Sequence, residues 1–396
     1  MKLFPTPLLI LLPLLLSAAL LQGCGGNGTA SSGGVATDTV AFKYSRLIHV
    51  EQMADGSRLV TIDNPWKPGK ALHRYALVPY GAVIQHQTGQ GATLVRVPLK
   101  RSIIFTSVHA ALVDQLHSQA QVAGVADLKY IKVPFVQEGC RSGRLVDCGD
   151  GMNPLVEKII DAQADAILLS PFENSGGYGR IEDVNIPLIE CAEYMEASPL
   201  ARAEWMRFYG MLYGCEHEAD SLFAVVDSSY HTLCQQAQEA GQGRSALVDK
   251  QTGTVWYMPG GRSTIGQMLV DAGADYAFAG DEHSGSLSLP FETVLERCGE
   301  ADVWLFRYDS DKPIALRQLL AEQPGYRQLK PVRRQMEHHG PQSAGYIYGC
   351  NVMTSMFYEE TPFRPDLLLQ DFIQILHPDI PNLPPLRYYH KVIMTK

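Results

Sequence analysis

Nine side chains in this sequence have the chemistry of a small-molecule grip: His109, Phe172, Tyr178, Trp256, Tyr257, Arg262, His283, Arg307 and Tyr308. They lie in or just after short apolar runs, where loops at the carboxyl ends of parallel strands line ligand clefts in open α/β sheets. Aromatic faces give large contact area at low entropic cost, and arginine grips anionic oxygen bidentately. Together they suit a bulky, flat or anionic metal chelate better than a bare ion. A divalent ion would instead need several His and carboxylate ligands converging, for which His109, His283 and Glu173 are the candidates. A histidine after a strand also serves as an ordinary hydrogen-bonded loop residue.

Catalysis finds less support. The chain has no GxSxG elbow, HExxH helix, GxxxxGK[ST] loop or strand-following GxGxxG. Gly23–Gly28 is glycine-rich but sits in a leader and tether, and Glu204-Trp205 has no partner base. The stripe Trp205, Phe208, Tyr209, Leu212 reads as core packing. No catalytic residue, structural metal or resident cofactor is expected; a chelatase is the enzymatic alternative.

Charge excludes another class. With 33 Lys+Arg against 42 Asp+Glu the chain is acidic at −9, without the basic run nucleic-acid binding needs. The densest basic cluster, Lys330, Arg333 and Arg334, reads as a solvated loop.

The elements that must position the nine residues follow from periodicity. Ser45–Gln52 and Ser57–Ile62 flank Asp55-Gly56, a hairpin signal opening a β-rich preface over 45–96. From 97 to 214, short apolar runs (Ser102–Thr106, Ala166–Ser170, Ile186–Glu190) alternate with amphipathic segments, the pattern of an α/β lobe with a largely parallel sheet. The alternation resumes over 241–396. Between them, residues 215–240 carry no Gly or Pro, and Ala219, Leu222, Phe223, Val226, Tyr230, Leu233 and Ala237 form one apolar stripe. Such a helix reaches roughly 40 Å, enough to span two lobes. An echo relates the halves: Pro154-Leu-Val-Glu157 before Ala164-Asp165, and Pro290-Phe-Glu292 before Ala301-Asp302.

The N-terminus reads as an export signal. Lys2 precedes an apolar run, Leu8–Leu21, that is too short and too Pro-interrupted to span a membrane. It ends in Leu21-Gln22-Gly23-Cys24, a lipoprotein-type cleavage box, so 1–24 reads as leader plus lipidated Cys24 and 25–44 as a flexible tether. Seven cysteines remain, and in an oxidising compartment Cys140 and Cys148 could pair across a short loop.

In order and spacing the chain resembles the helical-backbone class of ABC substrate-binding proteins, which bind ferric siderophores, haem and cobalamin. The carriers are Val97-Pro98-Leu99-Lys100-Arg101, Gly124-Val125-Ala126-Asp127, Glu157…Ala164-Asp165, Gly260-Gly261-Arg262-Ser263-Thr264-Ile265-Gly266 and Glu292…Ala301-Asp302. The resemblance implies two Rossmann-like α/β lobes joined by a single long α-helix, with the N-terminal β-rich preface an addition. It implies a protein on the periplasmic side of the cell envelope that delivers its ligand to an ABC permease dimer with its ATPase. A ferric siderophore is the expected ligand, haem or cobalamin the alternatives. Glu157 and Glu292 would then dock the lobes onto permease arginines; without that role each is a first-turn carboxylate favouring its helix dipole. Two stretches depart from the pattern: the long preface Val40–Thr93, and an insertion-like loop over Pro324–Tyr348 containing His338 and His339.

Overall fold

The computed structural model describes residues 36–82, 91–173, 177–337 and 345–394; Cys24, His338 and His339 lie outside them. β1 (Ala36–Val40), β2 (Ile48–Met53), β3 (Arg58–Asp63) and β4 (Ala71–Pro79) pair antiparallel in chain order, and β5 (Thr93–Val97) joins parallel to β4. The β2–β3 hairpin turns at Asp55-Gly56 as expected, with Ser57 N–H donating to Asp55 Oδ1 at 2.9 Å.

The expected tether, 25–44, is partly wrong: its last residues are built into the fold. Thr37, Thr39 and Val40 are β-branched, and Ala36–Val40 pairs with β2. Beyond it, the buried Glu204 carboxylate accepts the backbone N–H groups of Lys43, Tyr44 and Ser45 at 2.6, 2.7 and 2.9 Å.

In the first lobe β6 (Ser102–Ile104), β7 (Val122–Val125), β8 (Val146–Asp147), β11 (Ala166–Leu169) and β12 (Leu188–Glu190) form one parallel sheet, ordered β12-β11-β6-β7-β8. The helices α1 (Ser107–Gln115), α2 (Pro134–Arg141) and α3 (Val156–Asp161) lie between strands, with a small hairpin of β9 (Gly149–Asp150) and β10 (Asn153–Pro154). Both faces of the sheet are covered, so β6, β7 and β11 are buried throughout and read as unbroken apolar runs.

α4 (Pro199–Glu204) and α5 (Met206–Tyr213) lead into α6 (Glu216–Ala240), the connecting helix. Its 25 residues rise about 37 Å. The expected stripe is its packed face: Ala219, Phe223, Val226, Tyr230, Leu233 and Ala237 are buried.

In the second lobe β13 (Ala246–Val248), β17 (Val303–Tyr308) and β18 (Ile347–Asn351) run parallel, with β19 (Tyr389–Lys391) antiparallel at the edge. A side sheet holds β14 (Gln251–Thr252), β15 (Val255–Pro259) and β16 (Ser286–Leu289). The helices are α7 (Thr264–Asp271), α8 (Phe291–Cys298), α9 (Leu316–Glu322), α10 (Lys330–Glu337), α11 (Phe357–Glu360) and α12 (Pro365–Leu376). α11 packs on α1 of the first lobe, and the Lys132 ammonium donates across the lobes to the carbonyl oxygen of Val352.

Two further expectations change here. The stretch taken as a solvated, insertion-like loop is largely helical: Pro324–Gln328 forms a 3-10 turn and Lys330–Glu337 is α10, with Tyr326 and Val332 in the core. Two of its basic residues are paired, Lys330 with Asp302 at 2.7 Å and Arg333 with Glu300 at 2.6 Å. Cys140 and Cys148 are free thiols, and burial pushes the Cys148 thiol up to about 12. The fold class itself stands: mixed α/β, two lobes on one helix, behind an N-terminal sheet.

Candidate ligand-binding site

The carboxyl ends of β6, β7 and β11 open onto a pocket of about 440 Å³, lined by Phe105, Thr106, Asp127, Met152, Phe172 and Tyr178 among others. This is where an open parallel sheet places its ligands. Asp127 sits at φ 56°, a left-handed conformation uncommon for a side-chain-bearing residue, and its N–H donates to Gly149 O at 2.7 Å. Gly151 is required opposite it: a Cβ there would lie 2.6 Å from Asp127 Oδ2. The loop after β11 is held by Tyr194, whose hydroxyl donates to Pro171 O at 2.5 Å.

The walls are unusually apolar for solvent-facing surface. Met152 is 80% exposed and Phe172 43%. On the second lobe Met353 and Tyr358 follow the carboxyl end of β18 and are also exposed. Exposed apolar groups gathered at strand ends mark a binding surface rather than a core.

The nine expected residues divide. Phe172 and Tyr178 line this pocket, and the Tyr178 hydroxyl donates to Glu190 Oε1 at 2.6 Å. Tyr257 is exposed on β15. Arg262 and His283 sit together where chain turns into α7: Arg262 N–H donates to His283 O at 3.2 Å, its guanidinium meets Glu282 at 3.1 Å, and His283 Nδ1 lies 2.9 Å from Asp281 Oδ1. Arg262, Asp281 and Glu282 border a separate pocket of about 350 Å³. Gly266 lets the chain fold back here, since a Cβ on it would lie 2.1 Å from Gly260 O.

Three of the nine are withdrawn into the core, a correction to their expected place on the cleft wall. Thr106 caps α1, accepting His109 N–H at 3.3 Å, so His109 is helical rather than in a loop and is fully buried. Its Nε2 lies 3.7 Å from Glu193 Oε2 and its ring centroid 5.6 Å from that of Tyr209. Trp256 is fully buried, its indole N–H donating to Val248 O at 2.8 Å, with Trp304 and Tyr326 around it. Tyr308 is buried with its hydroxyl 2.8 Å from His390 Nε2. Arg307, on the same strand, is half-buried and committed to Asp249 at 2.6 Å.

Among the described residues no three His, Cys, Asp or Glu side chains are placed to hold a metal ion. His109 and His283, the expected ion ligands, belong to different lobes and to different partners. Residues outside the nine, Phe105, Thr106, Asp127 and Met152, form much of the site. Asp127 carried a signal, as the end of the Gly124-Val-Ala-Asp motif.

Glu157 and Glu292 both stand exposed in the first turns of α3 and α8. A bond from its own backbone N–H, and the Arg180 guanidinium 3.4 Å away, hold the Glu157 carboxyl below its usual range.

Comparison with known proteins agrees with this geometry. An uncharacterized lipoprotein of Methanocaldococcus jannaschii is 24% identical over 310 residues, covering 76% of this chain and 70% of its own. A periplasmic heme binding protein from Pseudomonas aeruginosa superposes with a TM-score of 0.55 at 13% identity, over 74% of this chain and 99% of that one. An ABC-type Fe3+-hydroxamate transport system protein from Saccharomonospora viridis gives 0.50 at 20% identity, over 70% and 92%. The periplasmic binding protein family profile matches residues 108–335, from α1 of the first lobe to α10 of the second. The chain belongs to the periplasmic binding protein family.

Proposed function

We propose that this protein captures a metal chelate, a ferric siderophore before haem or cobalamin, and delivers it to an ABC permease dimer driven by its ATPase. It would do so from the periplasmic side of the envelope, anchored through lipid on Cys24. One observation carries the ligand class: the pocket at the strand ends is lined by Phe105, Tyr178 and the exposed Met152 and Phe172, with the Asp127 carboxylate among them. A chelate hides the charge of its metal within an organic shell, so it needs wide apolar contact and a few polar groups. The names of the solved neighbours, one for heme and one for Fe3+-hydroxamate, support the same class.

The lipid anchor rests on the Leu-Gln-Gly-Cys box and on the curated relative's being named a lipoprotein. Docking rests on the exposed Glu157 and Glu292, each in the first turn of its lobe's helix. The test is the absorbance spectrum and metal content of the protein purified from its own envelope, with calorimetry against ferric siderophores, haem and cobalamin. Tight binding of bare zinc or manganese, with no chelate bound, would overturn the proposal.

A further inference from the structure

A second and larger pocket adjoins the strand-end cleft and shares Phe172 and Tyr178 with it. It has a volume of about 690 Å³ and occupies the seam where the N-terminal sheet meets the first lobe. Trp66 and His73 line it from the sheet; Phe172, Tyr178, Glu182 and Glu190 line it from the lobe. The sheet's share of this wall precedes residue 108, where the family match begins.

Its floor holds a charge problem. Glu190 is 8% exposed and accepts two hydrogen bonds, from the Tyr178 hydroxyl at 2.6 Å and from His73 Nδ1 at 2.8 Å. Tyr75 fixes this corner: its hydroxyl accepts Glu190 N–H and donates to Leu188 O, both at 2.9 Å, and its ring stacks on His73 at 4.4 Å. His73 Nε2 lies 2.8 Å from Thr93 Oγ1. Among the described residues the ion-pairing partner of Glu190 is His73, a cation only when protonated. A buried carboxylate is normally paired or neutralised. Here it faces a cavity that also carries Glu182 and Glu173, against the single lysine Lys67 on its rim.

We propose that the seam pocket is a second binding site, for a small organic cation: an ammonium or guanidinium on an apolar body, with Glu190 as counter-charge and Trp66 and Tyr178 beside it. Aromatic rings next to carboxylates are the recognised environment for such cations. Three acids against one lysine in the lining disfavour an anion.

The probes are agmatine, choline and putrescine, with succinate and glucose as controls, titrated calorimetrically into the full-length protein in detergent. At least one cation should bind with a Kd of millimolar or tighter, and the controls should not. Trp66→Ala should weaken that binding by about tenfold. Glu190→Gln should abolish the preference for cations; Trp66→Ala keeps the test available should Glu190→Gln fail to fold. No binding by any of the three cations, equal binding of succinate or glucose, or unchanged cation affinity in Trp66→Ala would overturn the proposal. A chelate titration on the same sample reads the strand-end cleft, and because Trp66 lines only the seam pocket of the two, a chelate affinity unchanged in Trp66→Ala separates failure at one site from failure at the other.

Discussion

Arg307 donates to both carboxylate oxygens of Asp249, from Nε at 2.9 Å and from Nη2 at 2.6 Å. Burial alone would weaken the guanidinium's hold on its proton, but Asp249 more than offsets this. An arginine balanced within its own lobe, with the Phe357 ring 5.7 Å away, is a structural tie rather than a free anion grip. Arg307→Ala leaves Asp249 uncompensated and should lower stability by about 2 kcal/mol, read as a drop in Tm, with chelate affinity nearly unchanged. Loss of affinity at an intact Tm would return Arg307 to the ligand.

Met152 tests the cleft with little structural consequence. At 80% exposure it supports no core, so Met152→Ala should leave Tm within error. If a chelate covers it, affinity should fall by about 1 kcal/mol, roughly fivefold. Unchanged calorimetric affinity would move the ligand off this wall.

Glu157 and Glu292 separate two roles. Reversing both to Lys should abolish stimulation of reconstituted transport while fold and ligand Kd persist, because rim charges steer and orient docking. If they only complement helix dipoles, the variant transports normally with a small loss of Tm. Normal transport by the folded double variant removes both from docking.

Cys24→Ser should block lipid attachment and leave the precursor unprocessed or mislocalised. The variant and wild type can be compared by detergent-phase partitioning; identical partitioning and processing would exclude Cys24 as the anchor point.

Acid should loosen the second lobe at Asp302. Burial alone would raise this carboxyl, but Lys330 Nζ at 2.7 Å and Ser245 N–H and Oγ–H at 3.1 and 2.9 Å hold it below its ordinary value. A carboxyl depressed in the folded state stabilises above its unfolded pKa, near 3.9, and that contribution is lost as pH falls through the folded value. Asp302→Asn should therefore melt below wild type at pH 7, with the gap narrowing toward pH 3. A gap that stays constant or widens on acidification contradicts this assignment.

What the sequence disclosed is what repeats locally. The connecting helix was legible because a 3.6-residue stripe ran unbroken by Gly or Pro from Ala219 to Ala237, and burial follows that stripe. Trp256 and Tyr257 were read together, although alternation along a strand sends one in and the other out. Thr106 was a readable cap, and recognising it would have placed His109 on a helix facing the core. Contacts made at long range carried no such mark. His73 meets Glu190 across 117 residues, and Lys132 reaches Val352 across 220. The strand-end pocket depends on which loops converge, so Phe105 and Met152 became site residues only in three dimensions.

The single passage of the chain along α6 also bears on how such proteins diversify. The first lobe ends before Glu216, the second begins after Ala240, and the C-terminal strand β19 stays with β18 in the second. Each lobe is thus one uninterrupted stretch of gene, and recombination within the segment encoding α6 can exchange a whole lobe without cutting either sheet. A viable chimera must keep the whole seam: the incoming second lobe must still offer Phe357–Glu360 to α1, seat α7 on α4 and α12 on α4 and α6, pack Phe363 on Tyr209, and give a carbonyl to Lys132. New ligand specificity can in this way arise by pairing existing half-sites, with the N-terminal sheet inherited alongside the first.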